Sequence, residues 1–193
     1  MNEGSPRLSI HTVTPERWED FETLFGPRGA IGGCWCMWFR IRRAEFDQQK
    51  GEGNRQCMQA IVATGEVPGL MAYHEGQPVA WCSVAPRESF PVLDRSRVLK
   101  RVDDRPVWSV VCFFVEKNHR RMGLSVEMLR GAVDYARSQG AKIVEGYPVD
   151  PKRGQTADLF AFTGLPGTFL QVGFVEVLRR SETRPIMRYY LES

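Results

Sequence analysis

The chain has no apolar run of about 18 residues, the minimum for a bilayer-crossing helix, so no membrane partner is expected. Its opening residues, MNEGSPRLSI, lack the basic and then apolar pattern of a secretory signal, which predicts a cytoplasmic protein. Histidine is scarce, with three in all, and Cys34-x-Cys36 has no second cysteine pair or nearby histidine to complete a four-ligand zinc site, so no metal is expected. The five cysteines are odd in number, which suits reduced thiols rather than a disulfide framework. Neither sign of charge dominates: a net charge of +3 is too mild to argue for a nucleic-acid partner. Internal repeats and low-complexity tracts are absent.

What remains is an ordinary globular composition, 42% hydrophobic and 25% charged over 193 residues, enough for one domain with a substantial core. One stretch organises it. Trp108 to Val115 is almost unbroken apolar, β-branched and aromatic sequence, which predicts a strand covered on both faces. Polar Glu116 to His119 end it. From Arg121 the period changes, and Met122, Val126, Leu129, Val133 and Ala136 recur at helical spacing until Gly140 stops the helix. Between them lies Arg120-Arg121-Met122-Gly123-Leu124-Ser125. A helix N-terminus offers unpaired N–H groups, Gly123 adds no Cβ, and two arginines add charge, so this junction suits an anion. An ordinary turn with solvated arginines fits the same residues.

Lys142 to Asp150 reads as the next strand, and a strand–helix–strand unit implies parallel pairing through a right-handed crossover. The fold class is therefore α/β (α+β). Leu8 to Val13 reads as a first strand, and Thr14-Pro15 opens a helix with Trp18, Phe21, Leu24 and Phe25 inward. Gly26 to Gly33 is a loop, Arg42 to Gly53 a mobile polar connector, and Asn54 to Thr64 a helix. Gly69 to His74 and Pro78 to Val84 form a hairpin around Glu75-Gly76-Gln77. Pro86 to Pro106 is an insertion rich in both charges, readable as a solvated surface helix or as a lid.

Phe113-Phe114-Val115 followed by Arg120-x-x-Gly123-x-Ser125 resembles motif A of the GNAT acetyltransferase superfamily, departing only in Ser125, where the family has Gly or Ala. The resemblance implies a mixed central sheet of about seven strands flanked by helices, with two parallel central strands splayed at their C-terminal ends. It implies acetyl-CoA as co-substrate, with backbone N–H groups of Arg121, Met122, Gly123, Leu124, Ser125 and Val126 around the pyrophosphate and Arg120 beside them. Main-chain groups of Phe113 and Val115 would pair with the pantetheine arm. The activity implied is direct acetyl transfer, in a ternary complex, to a primary amine of a small molecule or protein. An acyl-CoA sensor without turnover is the alternative. The whole chain, 1–193, would be one such domain, with 1–66 on the acceptor side and 69–193 forming the acyl-CoA core. A homodimer is compatible with it.

Cys34, Trp35 and Trp38 head an aromatic, sulfur-rich segment that reads as an acceptor-site wall, with core packing as the plainer account. The proton donor is missing where the resemblance puts it: the motif B tyrosine position holds Phe169. Tyr147, at the expected mouth of the splay, is the substitute acid, with a half-buried sheet residue as the alternative. Glu116 and Glu88 are the candidate bases. Lys152-Arg153-Gly154 reads as a basic loop that either contacts the coenzyme's adenosine phosphates or is simply solvated.

Overall fold

The computed structural model describes residues 8–151 and 162–191, and the Lys152–Gly154 loop lies outside them. Seven strands form one sheet in the order β1-β2-β3-β4-β5-β7-β6. They are β1 (Leu8–Thr12), β2 (Gly69–His74), β3 (Gln77–Pro86), β4 (Trp108–Val115), β5 (Ile143–Gly146), β6 (Val175–Arg179) and β7 (Pro185–Tyr190). Every neighbouring pair is antiparallel except β4 and β5.

The helices are α1 (Trp18–Phe25), α2 (Arg43–Gln48), α3 (Glu52–Ala63), α4 (Pro91–Arg95), α5 (Leu124–Ser138) and α6 (Pro166–Val172). One face of the sheet is covered by α5 and α6: Leu124, Met128, Leu129, Ala132, Val133 and Ala136 of α5 pack with Phe169 of α6 against Val84, Val110, Phe113 and Val144. The other face is covered by α1 and α3, whose Trp18, Phe21, Phe25, Met58 and Val62 meet Met71, Tyr73 and Trp81. Alternation along β2 explains the division, since successive side chains of a strand point to opposite faces. Among the described residues, no helix is long and apolar enough to cross a membrane.

Three expectations are corrected. Arg42 to Gly53 is no bare connector: α2 forms there, with Arg43 Nε donating to Asp47 at 2.7 Å one turn on and its guanidinium over the Trp38 ring. Such i,i+4 pairs support short helices by tenths of a kcal/mol each, and Phe46 anchors this one in the core. Met122 is not on the inward stripe of α5; it precedes the helix and is 59% exposed. The insertion before β4 is not a solvated helix either. Phe90, Leu93 and Leu99 are buried, and Arg87 is buried with them.

Candidate active site

Parallel pairing of β4 with β5 runs only from Trp108–Val144 to Val110–Gly146, while β4 continues to Val115 along β3. The two strands therefore part at their C-terminal ends. A β-bulge marks the point: Ser83 faces Cys112 and Val84 faces Val110, which leaves Val111 as the extra residue on β4. Bulges re-aim side chains and end pairing. Here the bulge turns Val111 and Cys112 away from α5, whereas Val110 and Phe113 lie on the α5 side.

Beyond β4 the chain turns through Arg121 (φ 63°) and Gly123 (φ 78°), both left-handed, into α5. The first amides with backbone partners are Val126 and Glu127, both bonded to the Gly123 carbonyl. Leu124 and Ser125 are the first two helical residues, whose N–H groups have no intrahelical acceptor. Nothing lies within 4 Å of a Cβ built on Gly123, so the turn is open to a ligand. This concave backbone at the start of a 15-residue helix fits a pyrophosphate. Arg120 and Arg121 are exposed beside it, and Arg120 Nε also donates to the Val115 carbonyl at 3.1 Å. The Phe113 N–H is already taken, donating to the Phe162 carbonyl at 2.6 Å. The Phe162 segment thus lies in the gap between the parted strands, with the Gly164 carbonyl accepting from Val149 N–H at 2.9 Å.

On the α1 side of that gap is a cavity of about 430 Å³. Phe113, Phe114 and Cys112 of β4 form one wall. Phe25, Trp38, Phe46 and Phe162 add four more rings, and Lys50 stands at the rim. Cys34 and Cys36 line it as well. Of the expected wall residues, Cys34 and Trp38 face the cavity. Trp35 lies behind it, stacked on Phe25 at 5.6 Å between ring centroids and covering Gly29, where a Cβ would meet the indole at 2.4 Å. The segment is strained: Ala30, Trp35 and Cys36 all hold positive φ, each at a cost of roughly 1–3 kcal/mol that the packing around them must meet. Strain of this kind collects at functional sites. The turn is tied down by Gly33, whose carbonyl accepts from Gly51 N–H and from Asn54 Nδ2, both at 3.0 Å.

Cys36 stands apart among the thiols. Its Sγ accepts from Trp81 Nε1 at 3.3 Å. Burial alone would push the thiol up, but hydrogen bonds from Cys112 and Trp81 and the Arg40 charge outweigh it and bring Cys36 down to about 7. Burial and the Cys36 charge push Cys34 up to about 11. Cys112, hydrogen-bonded to Cys36 and buried, is held well above its ordinary value. Sequence reading offered the cysteines as wall or core. Their different environments arise from Trp81 and Arg40, which no spacing rule links to them.

The three expected acid–base residues are not brought to this cavity. Tyr147 directly follows the last parallel pair, where the strands part, but its side chain is fully buried rather than half-buried with its hydroxyl in water. Its hydroxyl donates to Glu145 at 2.7 Å, accepts from Arg87 Nη1 at 2.7 Å and shares a hydrogen bond with Ser109 at 2.8 Å. Burial and the Glu145 charge hold it well above the ordinary tyrosine range. Glu116 caps the following turn, accepting from Asn118 N–H at 2.9 Å and bonding His119 Nδ1 at 2.8 Å. Glu88 pairs with Arg101 at 3.0 Å on the surface of the insertion. Phe169 is fully buried against Gly146, Phe113 and Phe174. Among the described residues, no group of three or more His, Cys, Asp or Glu could hold a metal ion.

Residues 35–159 match the profile of the Acetyltransferase (GNAT) family. No curated protein sequence matches the chain. Among solved structures it is similar to a GNAT-family acetyltransferase from Streptococcus agalactiae 2603 at 12% identity, covering 96% of each chain with a TM-score of 0.58. It is also similar to the PaiA N-acetyltransferase of Thermoplasma acidophilum, solved in complex with coenzyme A, at 10% identity over 96% of this chain and 99% of that one, with a TM-score of 0.55. A ribosomal-protein-alanine N-acetyltransferase from Brucella melitensis matches at 16% identity over 95% and 99%, with a TM-score of 0.54. At these identities the likeness is one of fold.

Proposed function

The chain belongs to the GNAT acetyltransferase family, and from that premise we propose that it transfers an acetyl group from acetyl-CoA to a primary amine of a small molecule or protein. The observation that carries this reading is the pair of sites that meet at Phe113 and Phe114. An open helix N-terminus lies at one end of the parted strands, and a separate aromatic cavity opens beside them. Acetyl-CoA supplies an activated acyl carbon as a thioester. Arg121 to Val126 hold its pyrophosphate, with Arg120 beside them, and β4 between Phe113 and Val115 receives the pantetheine once the Phe162 carbonyl gives way. The wall of Cys34 and Trp38, backed by Trp35, holds the acceptor and excludes water. The whole of 1–193 works as one domain, with 1–66 on the acceptor side and 69–193 holding the coenzyme. Five free thiols suit a reducing, cytoplasmic setting.

Direct transfer in a ternary complex, the route that the family resemblance implies, needs a base for the ammonium and an acid for the departing thiolate. Neither Tyr147, Glu116 nor Glu88 lines the cavity. Titration calorimetry with acetyl-CoA, followed by thiol release across a panel of amines, tests the function. Binding with amine-dependent release is expected. Binding without release for any amine would favour the sensor, and no binding would reject both.

A further inference from the structure

The aromatic cavity beside β4 carries one fixed charge among its described walls, the ammonium of Lys50. Three features set its place. Lys50 follows α2, whose Phe46 lines the same cavity. The next residue, Gly51 at φ 87°, donates its N–H to the Gly33 carbonyl at 3.0 Å, which ties the end of α2 to the glycine turn before Cys34. The lysine stem lies along that turn: a Cβ on Gly33 would come 3.2 Å from Cγ, and one on Gly32 would stand 3.6 Å from Cε and 3.8 Å from Nζ. Gly32 lines the cavity with Lys50, so the ammonium stands where the turn opens onto it. Arginines of the same stretch are already paired: Arg40 with Glu66 at 3.3 Å, Arg43 with Asp47 at 2.7 Å and Arg55 with Glu52 at 2.7 Å. The Lys50 side chain makes no hydrogen bond or ion pair among the described residues. It is exposed, so water solvates the charge while the cavity is empty.

We infer that the acceptor is an aromatic amine that also carries a carboxylate, and that Lys50 is the residue that selects it. This rests on the transferase reading, which makes the cavity the acceptor site, and adds to it the class of molecule the cavity takes. The rings of Trp38, Phe46 and Phe114 cover a flat apolar body, and a polar group at the edge of such a pocket fixes which way round the ligand lies. An ammonium is a compact point charge with three donors and no acceptor, so the group it orients is an anion. One such charge matches a carboxylate, whereas phosphate recognition ordinarily gathers arginine forks or several donors. Holding the carboxylate at the rim turns the amine end inward, toward Cys112 and Phe113 of β4, along which the thioester arrives. The arrangement also explains why a lysine stands beside a cavity that is otherwise rings, thiols and small residues: it gives direction to an aromatic ligand that stacking alone would hold in several orientations.

The test uses the full chain with acetyl-CoA and matched acceptors: phenylalanine against phenethylamine, and 4-(aminomethyl)benzoate against benzylamine. In at least one pair the acid should exceed its neutral match in kcat/KM by about fivefold, the size of a partly solvated ion pair, with the difference in KM. That ratio should fall to about one in Lys50→Gln, drop below one in Lys50→Glu and persist in Lys50→Arg. It should also shrink from about 0.1 M to about 1 M salt, as the screening length falls from about 10 Å to about 3 Å. A second measurement needs no turnover. By calorimetry, 3-phenylpropionate should bind more tightly than 3-phenylpropanol, and Lys50→Gln should remove the difference. Neutral compounds equal to the acids in both pairs, or an acid preference that survives Lys50→Gln, would overturn the inference and leave the transferase reading standing. Lysine-dependent binding of 3-phenylpropionate without thiol release for any amine would support the anion site and count against transfer. Neither release nor binding would reject both.

Discussion

Arg87 Nη1 lies 3.0 Å from Glu145 Oε1, and each side chain is about 1% exposed. The pair is the centre of a chain of charges. Arg87 reaches Asp94 at 2.8 Å and the Leu99 carbonyl at 3.0 Å, while the second Glu145 oxygen accepts from Arg188 Nε at 2.7 Å and Arg188 reaches Asp103 at 2.7 Å. The Arg188 guanidinium holds Asp103 well below the usual carboxylate range. These bonds tie the insertion before β4 to β5 and β7. Removing one member leaves its partners charged and dry, at a cost of about 3–5 kcal/mol. Glu145→Ala should therefore lower stability by that amount in urea unfolding, with the insertion loosened first in hydrogen exchange.

Glu88 and Glu116 provide the contrast. Glu88 bonds Arg101, and Glu116 bonds the Asn118 N–H and His119, all near the surface, and surface changes away from core features usually stay within about 0.5 kcal/mol. Glu88→Gln and Glu116→Gln should leave both the melting curve and the acetyl-transfer rate near those of the wild type. A large loss of rate with Glu116→Gln, against unchanged acetyl-CoA affinity, would return that residue to the chemistry.

Gly123 tests the cradle. A residue with a Cβ at φ 78° pays roughly 1–2 kcal/mol for the left-handed conformation, and open space surrounds the position. The fold should survive Gly123→Val. The side chain would stand where phosphate oxygens approach the amides of Leu124 and Ser125. Losing two charge-assisted hydrogen bonds, at about 1.5–3 kcal/mol each, should weaken acetyl-CoA binding about 100-fold or more. Wild-type affinity in calorimetry would refute the assignment.

Much of this architecture is legible in the sequence. β4 occupies the expected residues because its run of apolar and β-branched side chains needs cover on both faces, and α5 ends beside Gly140 for the reason that glycine follows helices. The parting of β4 and β5 followed from the family resemblance. What escaped was long-range pairing. The charges of the insertion read as solvated because Arg87 meets a carboxylate 58 residues away, and no local pattern reports such a partner. The burial of Tyr147 escapes the sequence for the same reason, since its hydroxyl is fixed by Arg87 from that insertion. The helix α2 had a local signal in Arg43 and Asp47 at i,i+4, outweighed by the polar composition around it.

Phe169 packs against the end of β5, and its neighbours are shaped to it. A Cβ on Gly146 would lie 2.0 Å from the Phe169 ring, and one on Gly164 would lie 2.8 Å from it. Truncating a fully buried phenylalanine costs about 3–5 kcal/mol, and overpacking about 1–3 kcal/mol. Phe169→Ala and Gly146→Ala should each depress the melting temperature clearly, although neither residue carries a polar group. If Gly146→Ala melted like the wild type, the close seat of α6 against β5 would be wrong.

The acceptor cavity makes a charge prediction. Its described lining has the rings of Phe25, Trp38, Phe46, Phe113, Phe114 and Phe162, one cation in Lys50, and no carboxylate. A flat apolar amine would bury its ring against these faces, and each aromatic pair adds about 0.5–1.5 kcal/mol beyond the area removed from water. A polyamine would instead lose the water around its charges with no carboxylate among the described walls to replace it. Desolvating an unpaired cation costs more than aromatic contact returns at this scale. Phenethylamine-like acceptors should therefore exceed spermidine by at least tenfold in kcat/KM. An acceptor that also carries a carboxylate should lose its advantage in Lys50→Gln, while a neutral-bodied one should not. Preference for spermidine would require carboxylates at this cavity, and the described walls supply none.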